Sequence, residues 1–134
     1  MFEVSVTQSF AAAHQLRNYK GKCENLHGHN YKVELTVEGE ELNNIGLVAD
    51  FVDLKRLMKE VVDRLDHTFL NEVPPFDDWN PSAENVALYF CQQVQQGLEM
   101  QGTLSGTVRV SQVRVWETET SVAVYRPPMK SSPL

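Results

Sequence analysis

Cysteine is scarce: the 134 residues contain two, Cys23 among polar residues beside two histidines and Cys91 inside an apolar helical pattern. Residues so differently placed do not imply a stapling disulfide. No run approaches the ~18 to 20 apolar residues of a membrane-spanning helix, and the amino terminus lacks a basic segment followed by an apolar signal core. The expectation is a soluble cytoplasmic protein with no membrane partner. Cations are also in deficit, 12 Lys and Arg against 18 Asp and Glu, for a formal net charge of -6 and a pI near 5.1. That balance argues against a general nucleic-acid binder, because neutralising phosphates takes clustered, surplus Lys and Arg. It leaves room for a local basic pocket. No internal repeat is present. What remains is a chain of 42% hydrophobic and 22% charged residues, a length and composition that suit one globular domain with one core. We expect that domain over residues 1–126 and a disordered tail over 127–134, where three prolines occur without periodicity.

Residues 2–7 alternate Phe2, Val4 and Val6 with polar side chains, the period-2 pattern of a half-buried strand that continues through Phe10 towards His14. After a polar, glycine-containing loop the alternation returns from His29 to Val37. Gly39, Asn43, Asn44 and Gly46 mark a turn-rich connection. Leu54, Leu57, Met58, Val61, Val62 and Leu65 then recur at helical spacing, with Asp50 and Asp53 suited to the helix start. A second helix is expected from Asn80 as cap and Pro81 as first helical residue, with Ala83, Val86, Ala87, Phe90 and Val94 on one stripe and Gly97 or Gly102 as its end. Val108 and Val110 share one phase and Val113 and Val115 the other, which predicts one strand with a bulge near Ser111 and Gln112. A turn around Glu119 leads to a last strand through Val122 and Val124. This order predicts an α+β fold, a four-stranded antiparallel sheet with both helices on one face. Its open edges favour pairing between subunits.

His27-Gly28-His29 places two imidazoles at i and i+2, on one face at the mouth of the second strand. His14, at the end of the first strand, would join them if the two strands form a hairpin. Three histidines with a vacant fourth position describe an open, catalytic zinc site, whereas structural zinc fills four positions from the protein. Such a pair of histidines is also an ordinary surface or core arrangement, and composition takes the argument no further. Cys23, four residues before His27, is close enough for a cation to favour its thiolate as a base; otherwise it is a free surface thiol. Asp66 and His67 follow the first helix, either as a carboxylate orienting an imidazole for proton transfer or as a helix-ending polar pair. Glu117, taken alone, is an ordinary exposed carboxylate.

Five segments in register sharpen this reading. Phe10-Ala11-Ala12-Ala13-His14, Cys23-Glu24-Asn25-Leu26-His27-Gly28-His29, Leu65-Asp66-His67, Asn80-Pro81-Ser82-Ala83-Glu84-Asn85 and Trp116-Glu117-Thr118 together resemble the motifs of the 6-pyruvoyltetrahydropterin synthase and 6-carboxytetrahydropterin synthase family. The resemblance implies the tunnelling fold, in which trimers close into a barrel and two trimers stack into a homo-hexamer with active sites between subunits. It implies His14, His27 and His29 as ligands of Zn2+, Cys23 as general base, Asp66 and His67 as its relay, and Glu117 as the anchor of a small-molecule pterin, with Thr118 and Ser82 beside it. Ser82 stands where related sequences often have Thr.

The three-residue interval between Cys23 and His27 is similar to the 6-carboxytetrahydropterin synthases of the queuosine and deazapurine pathway. Glu24, three positions before His27, resembles instead the branch that cleaves the side chain of 7,8-dihydroneopterin triphosphate to 6-hydroxymethyl-7,8-dihydropterin for folate synthesis, unless it is an ordinary loop carboxylate. Conversion to 6-carboxy-5,6,7,8-tetrahydropterin is the leading expectation, with the folate-type cleavage, or both, as alternatives, and 6-pyruvoyltetrahydropterin formation as another. Two rivals belong to other classes: a zinc-stabilised interaction domain, and a zinc hydrolase with Glu24 activating water, which leaves Glu117 and the Asp66-His67 pair unexplained.

Overall fold

The computed structural model describes residues 1–18, 25–101 and 108–129. Two long strands, β1 (Phe2–His14) and β2 (His27–Gly39), form an antiparallel hairpin in unbroken register from Phe2↔Gly39 to His14↔His27. Strand β4 (Arg109–Thr118) pairs with the other side of β2, and β5 (Ser121–Tyr125) pairs with β4. A two-residue strand, β3 (Thr68–Phe69), runs parallel to β1, so the sheet order is β3-β1-β2-β4-β5. This fifth strand extends the four read from the sequence. Asp66 Oδ1 accepts the Ala11 N–H at 2.9 Å, the His67 N–H donates to the Ala11 carbonyl at 2.6 Å, and a positive φ of 58° at His67 turns the chain. His tolerates that left-handed conformation better than bulkier or branched residues do.

Helices α1 (Phe51–Leu65) and α2 (Ala83–Gln101) cover one face of the sheet. The buried residues of α1 are the six read from the 3.6-residue period, and the Asp50 side chain caps the helix by accepting the Val52 N–H at 2.8 Å. The start of α2 differs from the expectation of an Asn80 cap and Pro81 as first helical residue. Ser82 is the cap: its hydroxyl accepts the Asn85 N–H at 3.2 Å and its carbonyl accepts the first helical bond, from Val86. Asn80 is unavailable because its amide is used on Arg17. Gly97 lies inside α2 rather than ending it, and Gly102 falls outside the described residues. A Cβ at Gly97 would sit 2.6 Å from Leu57 Cδ2, so glycine is what lets the helices approach so closely.

The core is continuous from the helices to the inward side of the sheet: Val6, Phe10, Tyr31, Val33, Leu35, Val110, Val113 and Val115 are all buried. Phe10 stacks on Tyr31 with ring centroids 4.9 Å apart and on Phe90 at 6.0 Å. Full burial of an aromatic of this size stabilises by roughly 1.5 to 3 kcal/mol. The inward faces of β1 and β2 carry this row on to His14, His27 and His29. β4 carries the expected bulge: Thr36 pairs with Gln112 and Val37 with Val110, leaving Ser111 as the extra residue. Among the described residues no helix is long and apolar enough to cross a membrane.

Candidate functional site

The fold brings His14, His27, His29 and Glu117 together at one end of the sheet, their ligating atoms all within 4.8 Å of one another. His14 and His27 face each other across the last rung of the hairpin, and His29 is two residues along on the same side. Glu117 continues the inward phase of Val113 and Val115 and falls where the pairing of β4 with β5 slips between Trp116 and Thr118. Bulges commonly re-aim a side chain in this way. Tyr31 lies against this group, with its ring centroid 5.9 Å from that of His14 and 5.7 Å from that of His29.

The hydrogen bonds fix the tautomers. His14 Nδ1 lies 2.7 Å from the Pro81 carbonyl and His27 Nδ1 lies 2.7 Å from the Asn25 carbonyl. A carbonyl only accepts, so each Nδ1 carries a proton and it is Nε2 that each ring can offer as a ligand atom. Those two Nε2 atoms are 3.0 Å apart, an approach that a proton or a metal ion shared between them would stabilise. His29 Nε2 is buried without an aligned hydrogen-bond partner, although Glu117 Oε1 is 2.9 Å away. Glu117 Oε1 is also 3.7 Å from His14 Nε2. Burial lowers the pKa of His29, and neighbouring His14 and His27 add to the effect against the raising influence of Glu117. Three converging imidazoles, two of them backed by carbonyls on their far nitrogens, are a donor set that could hold a metal ion. Three nitrogens and a carboxylate oxygen fit such an ion.

Glu117 also borders a cleft of about 350 Å³ lined with Ala83, Glu84 and residues Ser121 to Val124 of β5, within the range of small-molecule pockets. The Ser82 hydroxyl is occupied in capping α2, and the Thr118 hydroxyl accepts the Thr120 N–H at 3.3 Å within the β4–β5 turn. Asp66 and His67 form a pair at 3.0 Å beside β3, with the His67 side chain 83% exposed. They stand outside the four-residue group, although His67 and His29 line the same open cleft of about 460 Å³ across β1. Backbone donation from Ala11, foremost, holds the Asp66 carboxyl below the usual carboxylate range. Cys23 and Glu24 lie outside the described residues. Burial pushes the Cys91 thiol up to about 11, so it stays protonated within α2 at neutral pH.

Two parts of the site escaped the sequence reading. Tyr31 continues the inward period of His27 and His29, so strand alternation was the signal for it. The Pro81 carbonyl that orients His14 comes from 67 residues away in the chain, and no side-chain pattern announces a backbone acceptor.

An α+β sheet with a histidine-lined mouth beside a ligand-sized cleft fits an enzyme whose site could hold a metal ion. The family model described as 6-pyruvoyl tetrahydropterin synthase matches residues 3–128, and the chain belongs to that family. A 6-carboxy-5,6,7,8-tetrahydropterin synthase of Bacillus subtilis is 38% identical over 131 residues, covering 94% of this chain and 86% of that protein. A human 6-pyruvoyl tetrahydrobiopterin synthase is 39% identical over 138 residues, covering 92% and 90%. The structure of Caenorhabditis elegans 6-pyruvoyl tetrahydropterin synthase superposes with a TM-score of 0.82 at 28% identity, over 95% of this chain and 96% of that one. The fold is accordingly the T-fold of these synthases, and the protein is an enzyme of their lyase type.

Proposed function

We propose that this protein is a zinc-dependent lyase that converts 7,8-dihydroneopterin triphosphate to 6-carboxy-5,6,7,8-tetrahydropterin, the reaction that feeds the queuosine and deazapurine pathway. The observation that supports the metal part is the convergence of the His14, His27 and His29 ligating atoms with Glu117, all within 4.8 Å of one another, with the His14 and His27 Nε2 atoms 3.0 Å apart. Borderline-soft Zn2+ suits imidazole nitrogens. When bound, zinc supplies Lewis acidity towards the hydroxyls of the substrate side chain.

The remaining roles fall to the chain's own residues. Glu117, between the histidines and the cleft, accepts hydrogen bonds from the amino and ring N–H edge of the pterin and so fixes the ring with its side chain towards the histidines. Ser82 and Thr118, next in sequence to the lining residues Ala83 and Glu117, are assigned a secondary part in holding the pterin. Cys23 removes a proton from a side-chain carbon, with Asp66 and His67 as its relay. Because His67 stands away from the four-residue group, the relay is completed in an assembly. The open edge of β1, which β3 covers only at Ala12 and Ala13, and the outer edge of β5 support ring closure by sheet pairing into trimers and a homo-hexamer.

Glu24 supports a second reading, because a carboxylate beside Cys23 offers a base for cleavage to 6-hydroxymethyl-7,8-dihydropterin; formation of 6-pyruvoyltetrahydropterin is the third. Incubation of the purified protein with dihydroneopterin triphosphate and mass identification of the products separates the three. Cys23→Ala should abolish the carboxy product, and Glu24→Ala should abolish a hydroxymethyl product while sparing the carboxy one. Base removal costs about 10²- to 10⁴-fold. Absence of any pterin product would overturn the assignment.

A further inference from the structure

We infer that Arg17 is a positioning residue for His14, acting through the carbonyl of Pro81; the inference rests on His14 being a metal ligand. The backbone of His14 is fixed by β1, but its ring is held at Nδ1 by Pro81. Pro81 lies between the 3-10 turn Leu70–Glu72 and α2, held from the helix side by the Ser82 cap and by Asn85 Nδ2, which donates to the Asn80 carbonyl at 2.9 Å, while the stretch before it belongs to neither helix nor sheet. Arg17 ties that segment down. Its Nη2 donates to the Phe76 carbonyl at 2.6 Å and its Nη1 to the Trp79 carbonyl at 3.1 Å.

The tie is reciprocal. Asn80 Oδ1 accepts the Arg17 backbone N–H at 2.8 Å, and Asn80 Nδ2 donates to the Arg17 carbonyl at 3.2 Å, so one side-chain amide pairs with both backbone groups as a neighbouring strand would. Asn71 treats Gln15 in the same way, at 2.9 and 2.8 Å. The residues just past His14 are thereby strapped to the segment that delivers Pro81 to the His14 ring. A planar guanidinium can reach two carbonyls in fixed directions, which a lysine ammonium on a flexible stem does not reproduce. Loss of such support lets the Pro81 carbonyl drift, and His14 loses both its tautomer and its aim. Outer partners of metal-bound histidines typically influence metal affinity 10- to 100-fold.

The test uses the full chain, stripped of metal and titrated with zinc against a chromophoric chelator, together with nitrogen-15 spectra of the histidine rings in the metal-free state. Arg17→Lys and Asn80→Ser are compared with wild type and with Val94→Ala, a core variant of α2 remote from these bonds, at a temperature where all are folded. We expect zinc affinity about 10- to 100-fold weaker in both Arg17→Lys and Asn80→Ser, with the Nδ1-protonated form of His14 depleted, and neither change in Val94→Ala. Asn80→Ser carries the test if Arg17→Lys does not fold. Wild type that binds no zinc overturns the metal reading and this inference together. Wild type that binds zinc, beside variants unchanged in affinity and tautomer, overturns the inference alone, as does an equal loss in Val94→Ala.

Discussion

Zinc added to the metal-stripped protein should raise its melting temperature by about 10 °C, and His27→Ala should abolish the rise. A ligand that binds only the folded state at a hundredfold excess over Kd adds about 2.7 kcal/mol to stability. Unfolding entropy near 2.1 cal/mol/K per residue gives about 0.28 kcal/mol/K for 134 residues, and the quotient is about 10 °C. In His27→Ala the nitrogen 3.0 Å from His14 is gone, while the His14 ring keeps its bond to the Pro81 carbonyl. The variant should therefore lose the zinc response without a large loss of metal-free stability. Calorimetry at pH 7 and pH 5.5 adds a sign. His29 is held below its ordinary pKa of 6.5, so the unfolded chain binds more protons than the fold and metal-free stability declines as pH falls through 6.5. Protons also compete with zinc for the imidazoles, so the zinc-induced shift shrinks on acidification. An equal zinc shift in His27→Ala, or a shift that grows at pH 5.5, would refute the reasoning.

Glu117→Gln should keep about one zinc per chain and weaken pterin binding by about 2 to 3 kcal/mol, the loss of a charge-assisted pair of hydrogen bonds; calorimetric titration checks both, and loss of the metal instead would make Glu117 a ligand. Gly97→Ala should destabilise, because overpacking against Leu57 at 2.6 Å costs about 1 to 3 kcal/mol and offsets the roughly 1 kcal/mol gained in helix propensity; a raised urea midpoint would contradict this. The depressed pKa of Asp66 contributes stability that is present above its unfolded value of 3.8 and lost as pH falls through the lower folded value. Asp66→Asn should be less stable than wild type at pH 7 and approach it as pH falls below 3.8, and parallel urea-stability curves on acidification would exclude a contribution from the Ala11 bond.

The long elements were legible because each buries one face against one core. All six inward residues of α1 follow the helical period, and the phase change between Val110 and Val113 put a bulge near Ser111 and Gln112, of which the structure makes Ser111 the extra residue. β3 was illegible, since two residues have no period and its place depends on bonds from Asp66 and His67 to Ala11, 55 and 56 positions away in the chain. The α2 cap moved because Asn80, a good cap by type, makes its bonds with Arg17, a tertiary demand that overrides local preference. In the site, strand alternation placed His27 and His29 on one side, and the hairpin added His14. Glu117 had no local signature: a second slip of register points it, and it became visible only through the surrounding motif.

Ser111 separates the length of β4 from its geometry. Gln112 already sits opposite Thr36 and Val110 opposite Val37, so a chain lacking only Ser111 would pair as a regular ladder with Val110, Val113, Val115 and Glu117 all still facing inward. Removal of one residue between Val113 and Glu117 would instead invert the strand's end and carry the carboxylate to the opposite side of the sheet. A one-residue deletion at Ser111, six residues upstream of Glu117, is therefore expected to leave the carboxylate on its side of the sheet.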